Sequence, residues 1–217
     1  MTGVQTCALP IFLSGEAGTG KETMARAMHY ASLRSDQSFY EINCAGLPDD
    51  VLMVELLGAK KGAIPGAPNN RIGLLQKAAR GTLFLNGIDT LSPQMQLVLL
   101  RVATEGSFEP VGGTETLTTG TRLMTGSHSD LAAAMAGGRF RQDLYYALAT
   151  TELSLPPLRA RRTDIPPLAT FFLERFNREN GTHLRFGARA LDHLTACTFP
   201  GNIRELENCV NRVATLA

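Results

Sequence analysis

The sequence predicts an α/β fold: a mainly parallel sheet covered by helices, followed by a smaller helical subdomain. Three observations predict it. Short apolar runs alternate with amphipathic stretches along the first two thirds of the 217 residues, the pattern of strands joined by helical crossovers. The run "TLFLNGI", Thr82–Ile88, is continuously apolar until Asn86, as befits a strand buried on both faces. From Pro156 onward the strand-like runs stop, prolines at 156, 157, 166 and 167 interrupt the chain, and the remainder reads as helix.

The elements follow in order. "IFLSGEAGTGKETMARAMHYAS", Ile11–Ser32, reads as strand, glycine-rich turn and helix, with Met24, Ala27, Met28 and Ala31 at helical spacing. "SFYEINCAGL" is a second strand entering a loop, and "PDDVLMVELLG" is helical. "GAKKGAIPGAPNN" is too broken by glycine and proline to pack as an element. "RIGLLQKAARG" returns to helix, and "SPQMQLVLLRVATEG" is a helix with Ser92 at its N-cap and Pro93 in its first turn. "SFEPVGGTETLTTGT" reads as a hairpin and "RLMTGSH" as a strand. "TFFLERFNREN", "GARALDHLTAC" and "NIRELENCVNRVATLA" are the closing helices. We place the subdomains at 12–156 and 157–217.

Composition narrows the function. A net charge of +1 gives no global attraction to nucleic acid or membrane, and no apolar run is long enough to span a bilayer. Cys7, Cys44, Cys197 and Cys209 lack metal-ligand spacing; reduced cytosolic thiols are expected. Residues 1–11 stand apart. "TGVQTCALPI" is not a signal peptide but resembles the translation of a sequencing-library adapter, so the natural chain is expected to begin near Ile11 or Phe12. The end at Ala217, inside a helical pattern, reads as a truncation.

"GEAGTGK" carries the chemistry. Gly15, Gly18, Gly20 and Lys21 have the G-x-x-x-x-G-K spacing between a strand and a helix, with Glu16 and Thr19 inside the loop. Glycines let backbone N–H groups converge on phosphate oxygens at a helix start, and Lys21 would reach the outer phosphates. The Ser or Thr that usually follows the lysine, supplying a hydroxyl to magnesium, is Glu22.

With "SGEAGTGKE", "EINCAGLP", "KKGAIPGA", "GTLFLNGID", "GSFEPVGG", "GRFRQDLYY", "LPPLRARRTDIP" and "FPGNIRELEN" in order, the sequence from about Phe12 to Ala217 resembles the AAA+ domain of NtrC-type bacterial enhancer-binding proteins, which remodel sigma-54 RNA polymerase. That family often carries glutamate after the P-loop lysine. The resemblance implies a P-loop, Rossmann-like αβα subdomain and a helical lid. It also implies ATP or ADP as ligand and self-assembly into a hexameric or heptameric ring. The implied partners are a sigma factor or RNA polymerase, and DNA only through a helix-turn-helix beyond this stretch. The adenine-contacting segment of the family lies upstream of the first strand, where the adapter-like residues stand.

Several positions depart from the family's pattern. The Walker B Asp-Glu maps to Asn86 and Gly87. Asparagine offers magnesium one neutral oxygen and glycine offers the attacking water no base, so magnesium is left open and hydrolysis is expected to be impaired. Asp89, two residues on, is read as an N-cap for the following helix, with a stand-in carboxylate as the alternative. The sensor position maps to His128. The arginine region keeps Arg139 and Arg141, of which Arg141 is the candidate trans-acting finger or, alternatively, half of a local ion pair; a second family arginine is Ala147. Arg204 matches the lid's sensor arginine, with pairing to Glu205 or Glu207 as the alternative. The remodelling loop GAFTGA is "GAIPGA", with Ile64 and Pro65 in place of its contact residues. The expected protein is a nucleotide-binding regulatory domain with weak or no turnover. The alternatives are a working ATPase that remodels sigma-54 polymerase and an assembly module with an empty pocket.

Overall fold

The structure is a computed structural model, which describes residues 9–63 and 69–217. It divides into two compact units, Met1–Ser14 with Glu22–Leu153, and Gly15–Lys21 with Ser154–Ala217. The division thus falls at Leu153/Ser154, and the glycine-rich turn clusters with the C-terminal helices.

The first unit is built on β1 (Ile11–Ser14), α1 (Lys21–Tyr30), β2 (Phe39–Asn43), α2 (Asp49–Leu57), β3 (Gly58–Ala59), β4 (Arg71–Ile72), α3 (Leu74–Lys77), β5 (Thr82–Asn86) and α4 (Pro93–Glu105). It continues through β6 (Ser107–Phe108), β7 (Leu117–Thr118), β8 (Arg122–Ser127), α5 (Leu131–Ala136), α6 (Gln142–Leu148) and β9 (Thr151–Ser154). The main sheet has the order β2-β5-β8-β1-β9, and β2 with β5, β5 with β8, and β8 with β1 all pair in parallel. Parallel neighbours require crossovers, which the helices supply. Leu83, Phe84 and Leu85 are buried because β5 is central. Leu83 and Leu85 join Phe12, Ile42, Leu52, Leu75, Met95, Leu123 and Leu144 in one core.

Local chemistry accounts for the ends. Ser92 Oγ accepts the Met95 N–H at 3.2 Å and Pro93 sits in the first turn, so α4 begins where expected. The hairpin is present as β6 against β7. The helix read in "RIGLLQKAARG" shrinks to the four residues of α3, because Arg71 and Ile72 pair with β3 and Gly73 takes an extended backbone. On α1 the buried stripe is not the expected one. Ala25 and His29 are inside, while Met24 is 42% exposed. His29 is a core residue. Its Nε2 donates to the Gln37 carbonyl at 3.1 Å, which leaves Nδ1 to accept from the Thr82 hydroxyl at 2.9 Å.

The second unit holds α7 (Ile165–Asn180), α8 (Ala188–Ala196) and α9 (Asn202–Leu216). Leu158, Ile165, Ala169, Phe172, Leu206 and Val210 form its core. Pro166 and Pro167 do not break the chain: both lie in the first turn of α7, where the missing N–H groups cost nothing. No helix among the described residues is long and apolar enough to cross a membrane.

Candidate functional site

In the second unit the glycine-rich turn is tightly specified. Gly15, Gly18 and Gly20 have φ of 147°, 78° and 98°, values that side-chain-bearing residues adopt only with strain. A Cβ on Gly18 would also stand 2.3 Å from the Gly201 carbonyl oxygen. Every carbonyl from Gly15 to Thr19 accepts a hydrogen bond. Lys21 Nζ, in a side chain almost wholly buried, donates to Gly15 O at 2.6 Å and Glu16 O at 2.9 Å. Asn202 Nδ2 donates to Ala17 O at 3.0 Å, the Ile203 N–H to Gly18 O at 2.9 Å, and Arg161 to Thr19 O at 2.7 Å. Thr19 Oγ1 adds a bond to Glu16 O at 2.8 Å. With its carbonyl poles engaged, the turn offers a ligand its N–H poles and an ammonium, the polarity an anion needs.

Glu16 carries the one negative charge of the turn, and it is compensated. Arg159 grips it through both guanidinium nitrogens, at 2.7 and 2.5 Å, and Asn202 Nδ2 donates to it at 3.1 Å. The Arg159 hydrogen bonds first, then that of Asn202, hold the Glu16 carboxyl down at about 2. A depressed carboxyl contributes stability above its unfolded pKa and loses it as pH falls through the folded value. The pair therefore weakens between about pH 4.5 and about pH 2. Acid titration of the unfolding transition is expected to show a flatter loss over that window in Glu16→Gln than in the parent; identical curves would place the acid-sensitive contact elsewhere.

Asn202 is the residue whose importance the motif alone did not reveal. It is fully buried and held at a φ of 54°. Its Oδ1 accepts the Leu158 N–H at 2.7 Å while its amide nitrogen serves Glu16 and Ala17. Asn202, Arg159 and Arg161 all lie inside the blocks "LPPLRARRTDIP" and "FPGNIRELEN", but spacing gives no sign that they close on the turn. Arg204 is exposed on α9 and forms no ion pair among the described residues. Glu205 instead accepts the Gly201 N–H at 2.7 Å and Glu207 pairs with Arg175. Its Cβ lies 3.3 Å from where a Gly18 Cβ would be, so it stands beside the turn.

In the first unit, Asn86 ends β5 opposite Asn43 on β2 and Gly126 on β8. Its Oδ1 is buried and accepts no hydrogen bond among the described residues. Gly87 is left-handed, with φ 78° and ψ 39°, and its N–H donates to Gly126 O at 2.7 Å. Asp89 does not cap α4, a role Ser92 fills. Its carboxylate instead accepts the His128 N–H at 3.1 Å and the Ser129 hydroxyl at 2.8 Å. Burial pushes the Asp89 carboxyl up, but these bonds outweigh it and hold it low. Asp89 therefore clasps the end of β5 to the end of β8 and sets the backbone at His128. Beside it, burial and then the Asp89 charge push the Cys44 thiol up to about 12, so Cys44 stays protonated and inert.

Glu22 is exposed and lies 3.7 Å from Arg26. Burial, then the hydrogen bond and like charge of Glu22, raise the Glu41 carboxyl. Arg141, at the N-cap of α6, spends its guanidinium on Asp143 at 3.0 and 2.7 Å, while its N–H donates to Gln96 Oε1. This is the local ion pair named as its alternative role. Ile64 and Pro65 of the GAIPGA segment, like residues 1–8, lie outside the described residues.

The turn's N–H groups and ammonium are donors of the kind a phosphate accepts. Among the described residues no group of three or more His, Cys, Asp or Glu side chains could hold a metal ion. Asn86 supplies one neutral oxygen.

Comparison with known proteins divides the chain at nearly the same place, with the glycine-rich turn inside the first match. The sigma-54 interaction domain matches residues 1–154, a range that includes the adapter-like stretch, and the AAA+ ATPase lid domain matches residues 159–217. The Nif-specific regulatory protein of Rhodobacter capsulatus is 48% identical over 214 residues, 99% of this chain and 37% of that protein. That of Sinorhizobium fredii is 52% identical over 207 residues, 95% of this chain and 35% of that protein. The chain thus spans little more than a third of these relatives. Among solved structures, NtrX from Brucella abortus in complex with ADP superposes with a TM-score of 0.89 at 33% identity, covering 98% of this chain and 47% of that one. The same protein in complex with ATP gives 0.88 at 33% identity, covering 96% and 47%. Hsp104, at 15% identity and a TM-score of 0.70 over 94% of this chain and 39% of its own, shares the fold.

Proposed function

The chain belongs to the sigma-54 interaction domain family of AAA+ regulators, and from that premise we propose that it is a nucleotide-responsive regulatory domain that binds ATP or ADP and turns it over weakly or not at all. The single observation that carries this reading is the contrast between the two motifs. The turn Gly15–Lys21 keeps its glycine conformations and its buried lysine, while the strand end that should hold two acids holds Asn86 and a left-handed Gly87.

In this reading Gly15, Gly18, Thr19, Gly20 and Lys21 receive the phosphates, the Glu16–Arg159 pair holds the loop's shape, and Arg204 reaches the bound phosphate from α9. Asn86 and His128 offer hydrogen bonds at the ends of β5 and β8. Glu22 is the acid after the lysine. Arg141 would act across a subunit boundary only by leaving Asp143. The lower boundary of the nucleotide-binding subdomain is drawn near Phe12 and the lid from residue 157. The proposed assembly is a ring that presents the domain to a sigma factor or RNA polymerase, with DNA bound by a helix-turn-helix elsewhere in the longer protein. The NtrX crystals with ADP and ATP support the choice of ligand.

Titration of ATP with parallel phosphate-release assays over a range of protein concentrations tests this. Binding without turnover is the expected result. Turnover that grows with protein concentration would instead indicate a working motor completed by assembly, and no nucleotide-dependent thermal shift would indicate an empty assembly module. Lys21→Ala is expected to lower ATP affinity by about tenfold or more, since a charge-assisted bond to phosphate contributes about 1.5–3 kcal/mol. Unchanged affinity would remove the turn from the binding site.

A further inference from the structure

Two arginines of the first unit converge on one carbonyl: Gly81 O accepts from Arg34 Nη1 and, at 3.0 Å, from the Arg122 N–H. Arg34, in the turn after α1, donates through Nη1 to the carbonyls of Arg80 at 3.2 Å, Gly81 at 2.9 Å and Gly120 at 2.8 Å. These bonds fix its guanidinium where the chain enters β5 and β8. Arg122 opens β8 opposite Thr82. Its Nε is buried and has no hydrogen-bond partner among the described residues. Neither arginine forms an ion pair among the described residues, and the Arg122 guanidinium is destabilised by burial and then by the positive charge of Arg34.

A buried donor left unpaired and two like charges brought together both cost free energy, and buried orphan donors in native proteins ordinarily mark a bound water or ion. Water would satisfy Nε but leave both charges. A ligand with two negative charges would offset both, and its several oxygens would meet donors arriving from two directions; guanidinium groups suit phosphate for that reason. We infer that Arg34 and Arg122 form a second anion site, at the entry of β5 and β8, for an oxyanion of the phosphate class. It shares no residue with the glycine-rich turn.

The test uses Lys21→Ala protein, so that binding at the turn is weakened, heated with and without 10 mM inorganic phosphate against sodium chloride of equal ionic strength. The midpoint is expected to rise by about 3–6 °C with phosphate if the site is near tenfold saturated, and the rise is expected to vanish in Lys21→Ala/Arg122→Gln. No rise, or a rise that survives Arg122→Gln, overturns the proposal. Should Arg122→Gln fail to fold, Arg122→Lys keeps the charge but loses the planar fork, and its phosphate affinity is expected to fall about tenfold; unchanged affinity overturns it equally. An equal response to acetate would assign the pair to a carboxylate and overturn the phosphate class.

Discussion

Asn202→Ala is expected to destabilise the helical unit by about 2–4 kcal/mol, read as a lower urea midpoint with an unchanged slope. The substitution strands the Leu158 N–H, which is buried with Asn202 Oδ1 as its acceptor, and leaves Ala17 O without its donor. Each stranded buried group costs about 1–3 kcal/mol. Alanine must also take the left-handed φ of 54° that asparagine tolerates better. The loss should carry a functional signature. Asn202 and Arg159 are what hold Glu16, so the variant's turn is expected to loosen and its ATP affinity to fall along with stability. Asn202→Asp separates the two effects. It keeps the acceptor for Leu158 but sets a second carboxylate against Glu16, so the turn should suffer more than the fold. Equal stability of Asn202→Ala and parent would mean that the Leu158 and Ala17 groups find water, and that the asparagine's bonds contribute no net stability.

What could be read from residues alone was what depends on neighbours in sequence. The continuous apolar run of β5, the Ser92-Pro93 start of α4 and the glycine spacing of the turn are local patterns, and each is present in the structure. Pairings across long separations were not legible. His29 lies on what its sequence neighbours suggested was an unremarkable helix face, and only Thr82, 53 residues away, makes it a core residue. Asp89 looked like a helix cap because Ser and Asp both cap helices; its partners at His128 and Ser129 are brought to it by the β5–β8 pairing. The edge strand β9 was missed because its four residues are exposed and so show no burial pattern. The prolines 166 and 167 were misjudged for the converse reason. A proline pair signals an interruption or a helix start equally well, and the Leu158–Ile165 packing that decides between them is tertiary.

Restoring both acids, Asn86→Asp with Gly87→Glu, is expected to raise ATP turnover by about 10²–10⁴, the contribution of a positioned general base. The backbone sets the terms on which this succeeds. Gly87 is left-handed, a conformation that costs a residue with a side chain about 1–2 kcal/mol. Space is not the obstacle, since a Cβ there would meet Ala45 Cβ and Asn43 Oδ1 at an ordinary 3.5 Å. Gly87→Ala should therefore lose that 1–2 kcal/mol and nothing more, measuring the strain by itself. At position 86 the asparagine oxygen is buried without a donor. A carboxylate placed there carries an uncompensated charge, so Asn86→Asp is expected to be destabilising without divalent cation and to recover with magnesium, while the parent's midpoint should not respond to magnesium. The two measurements divide the outcomes. A double variant that gains magnesium dependence but no turnover would locate the proposed remaining defect at His128, the proposed sensor, or at Ala147. One that gains neither would mean that the left-handed turn at residue 87 holds its shape against the glutamate and carries the carboxylate away from the reacting water. Recovery of turnover in full would mean the opposite: that the strand end can still adopt the backbone an acid requires, and that the proposed loss of hydrolysis rests on two side chains.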